Sequence, residues 1–179
     1  MIPGFLISWI TFPGVVVHEL AHAIFCRLFG LPIYAVQYFQ FATHRGQPSG
    51  YVVHGRSQYP GQDILVSVGP FFVNTIVGAI IAAPAAIPVF TFHGGDAFDW
   101  ALLWLGVSIA THSFPSTGDA QSIWQTVTGP RTSLLTKVVG IPVIGLIYLG
   151  ALGSVIWLDF IYGVAVAGLL PNLLIHMFA

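Results

Sequence analysis

Two histidines and a glutamate near the start of the chain have the spacing of a hydrolytic metal site. His18 and His22 are four residues apart, so in a helix their imidazoles lie on one face and can bind the same ion. Glu19, between them, is the only glutamate in the 179 residues. Its carboxylate could accept a proton from a water molecule that the metal activates. Because a carboxylate in so apolar a segment is unfavourable unless paired or used, the pattern predicts a functional site.

A third ligand must come from elsewhere, because a catalytic zinc usually has three protein ligands and one open position. A second glutamate is excluded, and Asp119 is the best remaining candidate. It follows a break in the chain at Pro115, where an unwound segment can turn a carboxylate inward. Alternatively, Asp119 only stabilises the start of a helix capped by Ser116, and both roles can hold together. His112 is the second candidate for the third ligand. The expected ion is Zn²⁺, although the donor set also suits other divalent metals.

Composition indicates a membrane protein. The chain is 56% hydrophobic and 6% charged, with a mean hydropathy of +0.86, whereas a soluble domain has about 25% charged residues. Most of its surface should therefore face a lipid bilayer. The net charge of −1 gives no reason to expect nucleic acid as a partner, and a single cysteine excludes an internal disulfide.

The apolar segments predict an α-helical polytopic membrane protein with five transmembrane helices, or four as the alternative. A small interfacial β-hairpin is expected between the first and second spans. The predicted elements are a kinked span at 4–29, a hairpin within 33–59, a span at 64–92 that Asp63 caps, a span at 97–112 with a short helix to 128, and two spans within 134–178. Asp159 near the middle of the last run favours its division into two.

The few charges predict an orientation in the cell membrane. Cations follow the first and third spans, whereas the loop after the second span has only acidic residues. The residues concerned are Arg27, Arg45 and Arg56, then Asp96 and Asp99, then Arg131 and Lys137. The positive-inside rule places the first and third loops in the cytoplasm and the N-terminus outside. The candidate site residues then lie towards the cytoplasmic side.

With these motifs the chain resembles the site-2 protease family of intramembrane zinc metalloproteases. The resemblance covers roughly residues 5–128. Its motifs are His18-Glu19-x-x-His22, then Gly69-Pro70 followed by Asn74, and Asp119 after a proline-containing break. The chain departs from the family pattern at three places, the first being one additional residue between Gly69-Pro70 and Asn74. His112 stands where the family has asparagine before the proline, and Ala120 stands where a glycine follows the aspartate. No accessory domain is expected, so the chain is similar to a minimal core.

The resemblance implies a single membrane domain over 1–179, with a three-span catalytic core at 4–128 and C-terminal spans at 134–179. Its activity would be hydrolysis of a peptide bond in or near a transmembrane segment of another protein. His18, His22 and Asp119 would hold zinc, and Glu19 would be the general base. It also implies that Asn74 and His112 donate hydrogen bonds to the oxyanion or the substrate backbone. The hairpin would pair with the unwound substrate as an added strand.

A non-proteolytic function is the alternative. A membrane protein with a metal site could serve as a scaffold that binds partner helices, or as a metal carrier. Glu19 argues against the scaffold, because binding a helix requires no base at that position. A carrier would need ligands on both sides of the membrane, whereas the candidate residues cluster on one.

Overall fold

The structure, a computed structural model, describes residues 4–44, 47–129 and 132–178. It is mostly helical, with one two-stranded antiparallel sheet. In chain order the elements are α1 (Gly4–Ile10), α2 (Phe12–Leu28), β1 (Ile33–Gln37), β2 (Tyr51–His54), α3 (Pro60–Ala86), α4 (Ala97–Thr111), α5 (Thr117–Val127), α6 (Leu134–Gly153) and α7 (Leu158–Phe178).

The first predicted span is two helices rather than one kinked helix. The chain breaks at Thr11, and Pro13 lies in the first turn of α2, where the missing N–H of proline costs no hydrogen bond. The Thr11 hydroxyl donates to the carbonyl of Ile7 at 2.7 Å, which ties the break to α1. Helix α2 carries His18, Glu19 and His22.

The predicted hairpin is confirmed. Strands β1 and β2 are antiparallel, with Val36 opposite Val52 and a register irregularity between Ile33 and Ala35. Aromatic and β-branched residues suit this half-exposed pair of strands. The predicted turn includes Arg45, which lies outside the described residues.

Helix α3 begins earlier than predicted, and the predicted cap is wrong. Tyr59 is the N-cap residue, and Asp63 lies inside the first turn. The Asp63 carboxylate is buried and accepts hydrogen bonds from the Ser57 N–H at 2.9 Å and the Thr126 hydroxyl at 3.2 Å. It therefore joins the start of α3 to α5 instead of capping a helix.

The C-terminal apolar run forms two helices, as predicted. A 3₁₀ turn over Ser154–Ile156 and a left-handed residue, Trp157 with φ 64°, separate α6 from α7. Asp159 lies in the first turn of α7, where the helix dipole favours an acidic side chain.

Two helical segments are long and apolar enough to cross a membrane: 60–91, which is α3 with a following π-helical turn, and 134–156, which is α6 with the 3₁₀ turn. Helix α4 and residues 158–171 of α7 are apolar but shorter. Large apolar side chains are exposed along these elements, as expected for lipid-facing positions. They include Ile76, Ile80, Leu135, Val138 and Leu149. Two of the five predicted spans are thus matched by helical segments of sufficient length in the described residues. Arg131, which contributed to the predicted orientation, lies outside the described residues.

Helix α3 is the centre of the structure, packing against α2, α4, α5 and α7. One apolar cluster joins α3, α4 and α7 and includes Ala82, Leu103 and Ala167. Another joins α3, α5 and α6 through Ile64, Ile123 and Ile144. The small alanines let the helices of the first cluster approach closely.

Candidate metal centre

His18, His22 and Asp119 converge on one point between α2 and α5. One ligand atom from each residue lies within 4.8 Å of the other two, and no other group of three such residues converges in the described part of the chain. The two Nε2 atoms are 3.1 Å apart, and His22 Nε2 is 3.4 Å from Asp119 Oδ1. Both histidines are buried. The predicted ligand set is therefore confirmed as a group that can hold a metal ion.

The ring hydrogen bonds define which nitrogens face the centre. His18 Nδ1 donates to the carbonyl of His112 at 2.7 Å, and His22 Nδ1 donates to the carbonyl of Val66 at 2.8 Å. A carbonyl only accepts, so both Nδ1 atoms carry the ring proton. In the neutral rings, both Nε2 atoms then direct lone pairs at each other and at a carboxylate. A cation bound between these acceptors would replace their mutual repulsion with attraction to the ion.

The donor types suit zinc, and two of the three spacings between ligand atoms match it. Two imidazole nitrogens and one carboxylate oxygen are common zinc ligands, and three protein ligands leave one position open. Bonds of about 2.0–2.1 Å place the ligand atoms of a tetrahedral zinc about 3.3–3.4 Å apart. Two of the three spacings between ligand atoms, 3.1 and 3.4 Å, are close to that value, and the third is within 4.8 Å.

Asp119 makes its predicted helix-capping contacts through one carboxylate oxygen and places the other oxygen at the candidate metal centre. Its Oδ2 accepts from the Ser116 N–H at 2.7 Å and from the Ser116 hydroxyl at 2.6 Å. Together with the return bond from the Asp119 N–H, these contacts form the capping box that begins α5. Its Oδ1 faces His22. The cap thus holds the carboxylate in the orientation that a metal ligand requires.

His112 lies beside the centre but does not join the ligand group. Its ring Nε2 is 2.8 Å from the Thr11 hydroxyl, at the break between α1 and α2. Its backbone carbonyl instead orients His18. His112 therefore supports the site through its main chain, while its side chain ties the end of α4 to the start of α2.

Asn74 differs from its predicted role as a hydrogen-bond donor to substrate. Its side-chain nitrogen lies 3.2 Å from the Gly14 carbonyl, 3.1 Å from that of Ile109 and 3.0 Å from that of His112. Because the amide has only two protons, these carbonyls already occupy them. Asn74 is fully buried and joins α2, α3 and the end of α4. It helps position the carbonyl that orients His18.

Glu19 is buried beside the ligands and is covered by the hairpin. Only 8% of its surface is exposed. A Cβ atom at Gly50 would lie 2.7 Å from Glu19 Cγ and 3.0 Å from the Tyr38 carbonyl. A side chain at position 50 would therefore displace either the glutamate or the hairpin. The hairpin thus forms one wall of the space around Glu19.

Sequence reasoning missed Thr11 and the bridging role of Asp63. Thr11 is buried and bonds His112 across 101 positions of sequence. A buried threonine in an apolar segment is an ordinary residue, so its type gives no signal. Asp63 did give a signal, because a buried acidic residue at the start of a span needs hydrogen-bond donors. Its partner Thr126, however, is 63 positions away in the sequence.

No protein-family model, curated protein or solved structure matches the chain.

Proposed function

We propose that the chain is an intramembrane zinc metalloprotease that hydrolyses a peptide bond in or near a transmembrane segment of a membrane-protein substrate. The observation that carries the proposal is the convergence of His18, His22 and Asp119 beside a buried glutamate on an apolar helix. A metal-binding site alone requires no Glu19. A carboxylate kept there against the unfavourable free energy of burial supports a proton-transfer role.

The proposed reaction assigns each step to the chain. His18, His22 and Asp119 would hold the ion. When bound, zinc supplies a Lewis acid that polarises the scissile carbonyl and acidifies a water molecule. Glu19 accepts a proton from that water molecule while the water oxygen adds to the carbonyl carbon. The C–N bond then breaks, and Glu19 passes the proton to the leaving amine nitrogen.

The membrane setting is part of the proposal. Helices α1 and α2 together, α3, α4, α6 and α7 would provide five spans, with the centre towards the cytoplasmic side. The apolar exposed surfaces and the two long segments at 60–91 and 134–156 support this arrangement. The resemblance to site-2 proteases gives the same substrate class, a transmembrane protein. The departures at His112, at Ala120 and before Asn74 leave the ligand group itself unchanged.

Cleavage is expected to depend on the metal. The purified protein in liposomes with a single-span reporter should release two fragments, which mass spectrometry can map. Removing the metal with a chelator should abolish this release, and zinc, but not magnesium, should restore it, because Mg²⁺ prefers six oxygen ligands. Reporter cleavage that survives complete metal removal would contradict the proposal.

Gly50→Ala is expected to slow cleavage without emptying the site. The added methyl would meet Glu19 Cγ, whereas the three ligands are untouched. We expect a loss of roughly 10- to 100-fold in the cleavage rate, the scale for displacing a reacting group by about 1 Å. Gly61→Ala is the matched control, since a Cβ there meets nothing within 4 Å. Equal rates for the two variants would show that the hairpin does not constrain Glu19.

A further inference from the structure

A hydroxyl of α7 is linked, through a threonine of α3, to the segment that joins α4 to α5. Tyr162 of α7 places its hydroxyl 2.8 Å from the Thr75 hydroxyl on α3. Thr75 Oγ1 is also 2.6 Å from the Phe71 carbonyl and 3.2 Å from the Ser113 hydroxyl. Its single proton can be donated to the Phe71 carbonyl or to the Ser113 hydroxyl, and its lone pairs can accept from the Tyr162 hydroxyl. Thr75 thus links α7 to Ser113.

Aromatic packing strengthens the same link. The rings of Tyr162 and Phe114 have centroids 5.0 Å apart in an edge-to-face arrangement, and Phe71 lies 5.8 Å from Phe114. Such aromatic pairs stabilise packing beyond the effect of the apolar area that they bury. Ser113 is therefore held by a hydroxyl network, and Phe114 by packed aromatic rings.

Close approach of the α7 and α4 backbones fixes the position of α7 beside the end of α4. A Cβ at Gly163 would lie 2.3 Å from the Thr111 hydroxyl oxygen and 2.7 Å from the Thr111 nitrogen. The residue after Tyr162 thus touches the final turn of α4 directly. Only a glycine permits this contact, so the ring of Tyr162 is presented to the α4–α5 junction at a defined distance.

The junction carries both supports of the metal centre. His112, next to Ser113, supplies the carbonyl that orients His18. Ser116, three residues beyond Ser113, holds the Asp119 carboxylate. A shift of the junction would therefore move the partner of one ligand and the cap of another.

We propose that Tyr162 is a positioning residue for the metal centre, which makes α7 a functional part of the site. The inference rests on the proposed function in so far as the centre binds zinc. It adds a fourth helix to the three-span core that the resemblance implies. The route runs from the Tyr162 hydroxyl through Thr75 and Ser113 to the backbone of His112.

The test measures Zn²⁺ affinity in Tyr162→Phe, which keeps the ring and removes the hydroxyl. Competition with a chromophoric chelator should show a dissociation constant roughly tenfold higher than in the wild type, at the low end of the effect of outer-shell partners. The visible spectrum of bound Co²⁺ should also change. Tyr148→Phe, on a half-exposed tyrosine of α6, is the control and should match the wild type.

A double-mutant cycle tests the route. In a Thr75→Val background, Tyr162→Phe should change zinc affinity less than twofold, because the hydroxyl then has lost its partner. Additive effects, or wild-type affinity and Co²⁺ spectrum in Tyr162→Phe, would overturn the inference while leaving the proposed function standing. A wild-type protein that binds no zinc would overturn both.

Discussion

Asp119→Ala is expected to empty the metal site, whereas Asp99→Ala is not. The two aspartates have the same local role, since each is the third residue of its helix and completes a capping box, with Ser116 in α5 and with Asp96 in α4. Each variant therefore loses a similar helix contribution, about 0.3–1 kcal/mol. Only Asp119 also places an oxygen against His22.

The comparison separates a ligand from a cap. We expect zinc affinity in Asp119→Ala to fall by more than the roughly 10- to 100-fold typical of outer-shell changes. Asp99→Ala should bind zinc as the wild type does. Chelator competition on both proteins measures this. If the two variants lost zinc equally, Asp119 would be a cap only, and His112 would be the next candidate ligand.

Glu19→Gln is expected to retain the metal and lose hydrolysis. Glutamine has nearly the same shape but cannot accept a proton from water, and Glu19 is not a member of the ligand group. General-base catalysis contributes typically 10²- to 10⁴-fold. The initial rate of reporter cleavage should therefore fall by at least about 10²-fold, while the zinc content stays unchanged. The neutral amide should also remove the unfavourable burial of a carboxylate, so the variant should fold at least as well.

The ligand pair could be predicted from sequence because both histidines belong to one helix. Helical spacing alone places His18 and His22 on the same face, whatever surrounds them. Asp119 could be predicted because a proline and a cap signal mark the helix start that holds it. The hairpin followed from aromatic and β-branched residues around turn chemistry. These patterns involve residues close together in the sequence, so they do not depend on how the helices pack against one another.

The supporting contacts could not be predicted because they depend on how helices cross. His112 acts on His18 through its carbonyl, and any residue type has a carbonyl. Asn74 was expected to donate to substrate, but its nitrogen faces three carbonyls of α2 and the end of α4. Tyr162 lies in a segment with no motif, and its partner Thr75 is 87 positions away. Sequence separation of that size carries no spacing signal.

Bound zinc and reporter cleavage, measured side by side in the wild type and Glu19→Gln, give the decisive test of the proposed metalloprotease function, with both proteins purified without chelators and placed in the same liposomes. We expect one zinc per chain in both proteins and mapped cleavage products from the wild type alone. A wild-type protein without zinc or a comparable divalent metal, or equal cleavage by the two proteins, would contradict it.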